Sequence, residues 1–155
     1  MRVMLAVVGK PRHASLAAAI QDYEGRAARY WSLAVHEVKE EAARGGTPPA
    51  LVREREGERL RARVGTGYRL VACTIDGERH SSERFAAWLG GERDADRDIA
   101  FAIGGAYGLS DALVEGASAT LSLAPWTLPH ELARLVLAEQ LYRAGSILRG
   151  EPYHK

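Results

Sequence analysis

The chain has 155 residues, a length that suits one domain with a sizeable core and needs no disulfide to stabilise it. Its 21 basic and 20 acidic residues leave a net charge of +1, so a nucleic-acid partner has to be bound by a local patch and not by a generally basic surface. We expect a single domain over residues 1–155.

The cysteine content and the apolar runs indicate the cellular setting. Cys73 is the single cysteine, which excludes an internal disulfide, and no group of cysteines and histidines has the spacing of a zinc site. We therefore expect no metal and a reducing compartment, the cytoplasm. The first apolar run stops at Gly9 without a cleavage pattern, and no run reaches the roughly 20 residues of a membrane span. These patterns predict that the membrane is not a partner.

Short apolar runs alternate with longer amphipathic stretches along the chain. The runs predict strands over Arg2–Val8, Leu33–Val38, Arg69–Ile75, Asp98–Ile103 and Thr120–Leu123. Helices are expected over Ser15–Tyr30, Pro49–Val64, Ser81–Leu89, Ser110–Glu115 and Pro129–Leu148. Continuously apolar strands are typical of sheets that are buried on both faces. The order predicts an α/β fold, with a mostly parallel sheet and helices on both faces.

The second predicted helix carries most of the clustered charge of the chain. Its charged run is preceded by Ala42–Ala50, the one linker rich in glycine and proline. Within Val52–Val64 the sign of the charge alternates at helical spacing, which favours i,i+4 ion pairs. We interpret this run as a solvated helix face in preference to a phosphate site.

Candidate sites are expected in the loops after the strands, because ligands of open α/β sheets bind beyond the carboxyl ends of the strands. The loop after the first strand has the lone glycine Gly9 and lacks the spacing of dinucleotide and P-loop sites. Glycines concentrate after the fourth strand instead, at Gly104, Gly105 and Gly108. They let the backbone approach a ligand closely, although a tight turn between a strand and a helix needs the same residues.

The loop after the fifth strand, Leu121–Glu131, is apolar and contains two prolines and Trp126. Such a loop either packs against another subunit or lines a pocket for a flat apolar group. The final helix then places His130 and Arg134 four residues apart, and His130 suits capping or packing as well as binding.

The chain ends in RGEPYHK, which places a tyrosine and a histidine close to the terminus. Terminal residues usually fray. Either this tail is docked on the protein or the cluster is accidental. Arg143, on the preceding helix, lies four residues after Glu139, a spacing that is typical of a helix-stabilising pair.

The segments IGGAYGLS, LSLAPWTLPHELARLVLAEQLYRA and PYHK together closely resemble the RlmH-type SPOUT methyltransferases. Members of that family methylate ring nitrogen 3 of a pseudouridine in large-subunit (23S) ribosomal RNA. The resemblance covers the full chain and is most specific in the final third. It implies the SPOUT α/β-knot fold with a C-terminal trefoil knot, S-adenosyl-L-methionine as the cofactor, and a homodimer with its active site at the subunit interface.

The resemblance also implies the roles of individual residues. The cofactor walls would be formed by Cys73, Thr74, Gly104, Gly105, Leu123, Ala124, Pro125, Trp126, Thr127 and Leu128. Among the catalytic candidates, His154 would be the general base, since an imidazole titrates near neutral pH. Arg143 would stabilise negative charge or bind a phosphate, and Tyr153 would stack on the target base or hydrogen-bond to it. His130 and Arg134 would contact RNA.

The family resemblance suggests that the assembled ribosome supplies the recognition surface, because this chain carries no appended RNA-binding module. Two other interpretations stay open. One is a SPOUT methyltransferase that acts on transfer RNA and shares the cofactor pocket. The other is a non-catalytic, ribosome-associated dimeric module in which the glycine turn is structural and the tail serves dimerisation.

Overall fold

A computed structural model describes residues 1–43 and 45–154 of the chain. Its elements in chain order are β1 (Arg2–Val8), α1 (Ala14–Ala27), β2 (Ser32–Val38), α2 (Pro49–Val64), β3 (Arg69–Arg79), α3 (Ser82–Asp94), β4 (Ile99–Ile103), α4 (Asp111–Glu115), β5 (Ala119–Ser122) and α5 (His130–Leu148). Arg44, within the predicted linker, and Lys155, the last residue of PYHK, lie outside the described residues.

The five strands form one sheet in the order β2-β1-β4-β3-β5, and every pair is parallel. The interior strand β1 pairs along its whole length with β2, from Arg2 opposite Ser32 to Val8 opposite Val38. The predicted parallel α/β sheet is therefore confirmed. The trefoil knot implied by the family resemblance stays a prediction.

Successive residues of the central strands enter two separate cores, because side chains alternate between the two faces of a sheet. Val3, Leu5 and Val7 of β1 face one core, while Met4, Ala6 and Val8 face the other. Both sets are buried, which explains why these strands are apolar throughout.

Helices cover both faces, as the sequence predicts. The first core receives α1, α3 and α5, for example through Ala27, Leu89 and Leu137, and the second receives α2 and α4 through Leu60 and Leu113. A buried hydrogen bond from Trp31 Nε1 to the Leu141 carbonyl oxygen (2.8 Å) also ties the end of α1 to α5.

Most predicted boundaries that differ from the structure do so by one residue, but α1 ends at Ala27 and not at Tyr30, and the ends predicted for β3 and α3 are further off. β3 continues past Ile75 to Arg79, because a bulge after Cys73 lets Glu78 and Arg79 pair with β5 although this stretch is polar. The helix α3 continues past Leu89 to Asp94. Its Gly90 lies where a Cβ atom would be 3.0 Å from Leu148 Cδ2, so this glycine permits close helix packing and does not end the helix.

Because all five strands are parallel, their carboxyl ends meet at the same edge of the sheet. The loops that follow β3, β4 and β5 therefore lie next to one another, since β3 pairs with both β4 and β5. This juxtaposition defines the candidate site.

Candidate active site

An open cleft of about 1090 Å³ lies at the carboxyl edge of the sheet. Every residue predicted to form the cofactor walls lines it except Pro125: Cys73, Thr74, Gly104, Gly105, Leu123, Ala124, Trp126, Thr127 and Leu128. The structure thus brings together three segments that are 18 or more residues apart in the chain. A volume of this size suits a small-molecule ligand of nucleoside dimensions.

The glycine loop, which we define as Gly104–Gly108, forms one wall of the cleft as a tight turn. The Gly108 amide donates to the Gly105 carbonyl oxygen (3.0 Å), and Gly108 has a φ of +82°. A Cβ atom on Gly104 would lie 2.5 Å from the Gly108 carbonyl oxygen and 2.8 Å from the Leu109 nitrogen. Glycine at 104 is therefore required by the approach of two backbone segments.

The opposite wall is the loop after β5, which the Ser122 hydroxyl helps to fold by donating to the Ala124 carbonyl oxygen (2.9 Å). Leu123 is half-buried at the base of this wall. Between the two walls, burial raises the pKa of the Cys73 thiol to about 12. Cys73 is thus a neutral thiol at pH 7 and an apolar contact, not a nucleophile.

Two further exposed apolar residues stand at the mouth of the cleft, and sequence reasoning did not single them out as site residues. Tyr107 lies in the glycine loop, and Ile75 lies in the bulge of β3 between Cys73 and Glu78. Trp126 stands with them and is 72 % exposed, so its ring lies on the rim more than in the wall. In the described residues, these three are the large apolar side chains with the greatest exposure.

His130 begins α5 and lines the cleft, and its predicted contact with RNA stays a prediction. Its Nε2 atom is buried and has no hydrogen-bond partner among residues 1–43 and 45–154. An unsatisfied buried nitrogen of this kind is costly unless a ligand or water completes it. The neighbouring Glu131 carboxylate accepts from the Arg12 amide (2.9 Å), which ties the loop after β1 to the start of α5.

Arg134 corrects a prediction, because its position does not suit a contact with RNA. The residue is only 7 % exposed, and its guanidinium donates to Glu24 (2.7 and 3.2 Å) and to Glu37 (2.7 Å). The side chain therefore joins α5 to α1 and β2. The sequence did not indicate this role, since its two carboxylate partners lie about 100 residues away.

We expect the Arg134→Met variant to unfold more easily, by about 3 kcal/mol, because it leaves two largely buried carboxylates without their cation. The measurement is urea unfolding at pH 7. Arg93→Met is the matched control, since Arg93 forms an exposed pair with Asp94 at 3.4 Å and its loss is expected to cost about 0.5 kcal/mol or less. Equal losses in the two variants would contradict a structural role for Arg134.

The tail, residues 149–154, is docked on its own chain, which answers the question raised by its sequence. The Tyr153 hydroxyl donates to Glu139 Oε1 (3.0 Å), and its ring lies 4.4 Å from the Tyr142 ring, centroid to centroid. The Arg143 guanidinium lies over the Tyr153 ring, 4.8 Å from its centroid. Arg143 also forms an ion pair with Glu139, as the i,i+4 spacing predicts. The three candidate catalytic residues are thus neighbours.

His154 is held at both ring nitrogens. Its Nδ1 lies 3.3 Å from Arg143 Nη1, and its Nε2 lies 2.8 Å from Glu83 Oε1. Because a guanidinium only donates, Nδ1 is the acceptor and Nε2 carries the proton that is donated to Glu83. The Ser81 hydroxyl, the Glu83 amide and His154 together hold the pKa of Glu83 down to about 2, so this carboxylate stays ionised.

The tail and the cleft of one chain are separate. The residues that line the cleft do not include Arg143, Tyr153 or His154. The structure therefore brings the predicted cofactor residues together in one place and the predicted catalytic residues together in another.

Comparison with known proteins gives the family. A sequence model described as "Predicted SPOUT methyltransferase" matches residues 1–154. The chain belongs to the SPOUT methyltransferase family. Its fold is that of a SPOUT methyltransferase, and it is an enzyme of that class.

Relatives of this SPOUT methyltransferase match it over the full chain. Proteins named "Ribosomal RNA large subunit methyltransferase H" are 60 % identical in Gemmatimonas aurantiaca and 44 % identical in an Anaeromyxobacter species, each with all of both chains covered. One of the same name from Listeria monocytogenes is 38 % identical, again over both whole chains.

A solved structure titled "Crystal structure of an hypothetical protein" shares the fold of this SPOUT methyltransferase. Its TM-score is 0.51 at 19 % identity, over 96 % of this chain and 68 % of the other. In the part of the chain that the structure describes, no helix is long and apolar enough to cross a membrane. The same residues contain no group of three or more potential metal ligands.

Proposed function

We propose that this SPOUT methyltransferase transfers a methyl group from S-adenosyl-L-methionine to ring nitrogen 3 of a pseudouridine in large-subunit ribosomal RNA. The observation that carries the proposal is the cleft between the glycine loop and the loop after β5, in a chain whose full-length relatives are named as large-subunit ribosomal RNA methyltransferases. The proposal includes a homodimer that acts in the cytoplasm on the assembled ribosome.

The cleft suits this cofactor by its shape and its chemistry. Gly104, Gly105 and Gly108 have no side chains, so they present only backbone groups on one wall. Leu123 and Leu128 would provide an apolar surface for a purine ring. Backbone donors and acceptors around them would hydrogen-bond to the edge of that ring. His130 Nε2 offers a further unsatisfied polar atom. These residues would hold the cofactor, which when bound supplies an activated methyl group on a sulfonium.

Arg143 of α5 and the tail residues Tyr153 and His154 remove the proton and stabilise the charge on the target base. His154 accepts the proton that leaves ring nitrogen 3, a transfer that typically contributes about 100-fold to 10,000-fold in rate. Arg143 stabilises the negative charge that develops on the imide. Tyr153 lies against the target base. Its pKa is raised by burial and by its hydrogen bonds to Tyr23 and Glu139, so it acts as a neutral phenol.

The hydrogen bonds of His154 impose an order on these steps. Nδ1 is the ring nitrogen with a lone pair, and Arg143 occupies that lone pair in the docked tail. The nitrogen becomes free to accept a proton when Arg143 donates to the imide oxygen or to a phosphate instead. Glu83 keeps the proton on Nε2 throughout, because its carboxylate stays ionised.

The separation of tail and cleft in one chain supports a site built from two subunits. In a two-fold dimer, the tail of one subunit completes the cleft of the other. The exposed apolar rim of Ile75, Tyr107 and Trp126 lies where such a partner and the RNA would meet the cleft.

The test is methyl transfer from labelled S-adenosyl-L-methionine to ribosomes from a strain that lacks the gene. We expect label in the large subunit, located by mass spectrometry at one pseudouridine, and weaker labelling of naked ribosomal RNA. Label in transfer RNA would overturn the proposed substrate. A folded dimer that binds no cofactor in calorimetry would favour the non-catalytic module.

We expect the Trp126→Ala variant to bind large ribosomal subunits about tenfold more weakly, because stacking of a base on an aromatic ring is worth about 1–3 kcal/mol. Its unfolding free energy should change by less than about 0.5 kcal/mol, since the ring is exposed. Trp126→Phe keeps a stacking surface and is expected to retain most of the affinity. A loss of cofactor affinity with unchanged ribosome binding would place Trp126 in the cofactor wall.

A further inference from the structure

Glu56 is a buried carboxyl group in the charge-dense run of α2, where the sequence predicts a solvated face. The residue is 3 % exposed. Its Oε1 accepts from the Glu41 amide (3.0 Å), whereas its Oε2 is buried without a hydrogen-bond partner in the described part of the chain. Ionisable groups are seldom buried in this way without a function or a full set of partners.

The unpaired oxygen lies directly beneath the glycine loop. A Cβ atom on Gly105 would be 2.8 Å from Glu56 Oε2, 3.2 Å from Oε1 and 3.0 Å from Val8 Cγ1. The Glu56 carboxyl group thus fills the space that a side chain at position 105 would take. It joins two segments of the carboxyl edge, the loop after β2 and the glycine loop, close to the end of β1.

The next residue, Gly57, supports the far end of the same loop. A Cβ atom there would lie 3.2 Å from Ser110 Cβ and would overlap the Ser110 hydroxyl. Ser110 is the N-cap of α4, and its Oγ accepts from the Leu113 amide (3.3 Å). Two consecutive residues of α2 therefore contact the segments on either side of the turn at Ala106 and Tyr107.

We propose that Glu56 is a positioning residue for the glycine loop. Its carboxyl group packs against Gly105, and the absence of a side chain at Gly57 lets Ser110 pack against α2. The inference rests on the proposed function only in taking the ligand of this loop to be S-adenosyl-L-methionine. Glu56 itself does not line the cleft, so it acts through the loop and not on the ligand.

The surroundings of Glu56 favour its neutral form. Burial raises the pKa of Glu56, the Glu41 amide and Arg59 lower it, and the carboxylates of Glu40 and Glu41 raise it further. The nearby residues of β1 and of the glycine loop, Val8 and Gly105, carry no charge. A raised pKa in the folded state means that stability is complete at acidic pH and declines as the pH rises through the folded pKa.

The experiment compares Glu56→Gln, which keeps the shape and the acceptor of the neutral acid, with Glu56→Ala, which leaves a cavity. In the cofactor-free protein, we expect amide hydrogen exchange in residues 104–109 to be about tenfold faster in Glu56→Ala and unchanged in Glu56→Gln. Urea unfolding at a series of pH values from pH 4 upward should show that Glu56→Gln loses less stability than the unaltered protein as the pH rises above the ordinary glutamate pKa.

Glu92→Ala is the matched control, because Glu92 is a buried carboxylate on α3 that pairs with Arg69 and Arg97, away from the loop. It should lower overall stability without selectively accelerating exchange in residues 104–109. Unchanged loop exchange in Glu56→Ala, or equal acceleration in Glu92→Ala, would overturn the proposal. Failure of the unaltered protein to bind S-adenosyl-L-methionine would contradict the proposed function alone, since the exchange measurement needs no cofactor.

Discussion

The Gly104→Ala variant is expected to lose measurable binding of S-adenosyl-L-methionine and to be less stable by about 1–3 kcal/mol. The reason is that the added methyl group would meet backbone atoms, the Gly108 carbonyl oxygen and the Leu109 nitrogen, at less than 3 Å. Backbone at this position cannot move aside as a flexible side chain can. The glycine loop would therefore shift, and with it one wall of the cleft. Calorimetry with the cofactor and urea unfolding measure the two effects.

Gly91→Ala provides the control for this prediction. Gly91 is exposed on α3, and a Cβ atom there would meet nothing within 4 Å. Alanine is favoured over glycine in a helix by up to about 1 kcal/mol, so this variant should be as stable as the unaltered protein or more so. Normal cofactor affinity in Gly104→Ala would show that the loop wall is not part of the site.

The second large effect is expected at the tail. His154→Ala should slow methyl transfer in single turnovers by about 100-fold or more, because it removes the proposed proton acceptor. Cofactor affinity should change little, since His154 is proposed to act on the target base and is not among the residues that form the cofactor walls. His13→Ala, at an exposed histidine that precedes α1, serves as the control and should retain full activity. Full methylation by His154→Ala would remove the residue from the mechanism.

Mixing the two inactive variants tests which subunit supplies the tail. If the tail acts across the dimer, a mixed dimer of Gly104→Ala and His154→Ala has one intact cleft served by one intact tail. Equal mixing of exchanging subunits would then restore about a quarter of the activity, as half of the dimers are mixed and each has one working site. If the tail acts on its own chain, no activity returns.

The fold was predictable where burial alone determines it. The strand β1 and the helix α2 have the predicted bounds, because a continuous apolar run needs cover on both faces and Pro49 suits the first position of a helix. The three segments of the cleft were predictable from the family resemblance. Parallel pairing of β3 with both β4 and β5 then explains in physical terms why those segments meet.

The features that the sequence did not reveal depend on partners that are distant in the chain. Arg134 pairs with Glu24 and Glu37, and nothing in the neighbouring residues distinguishes it from an arginine that binds RNA. Glu56 belongs to a charged run, yet the loops after β2 and β4 cover it. Helical periodicity describes only the helix itself, so it cannot indicate which neighbours exclude water from a given position.

The strand order has a consequence for synthesis of the protein. The interior strand β1 pairs on one side with β4, the middle strand of the sheet, and Arg2 at its start pairs with Asp98 through a side-chain ion pair at 2.6 Å. A nascent chain that has emerged only as far as α3 therefore possesses β1 without one of its two neighbours. Such non-local pairing raises contact order and slows folding. We infer that the sheet closes late, and that a fragment ending before β4 has no complete core.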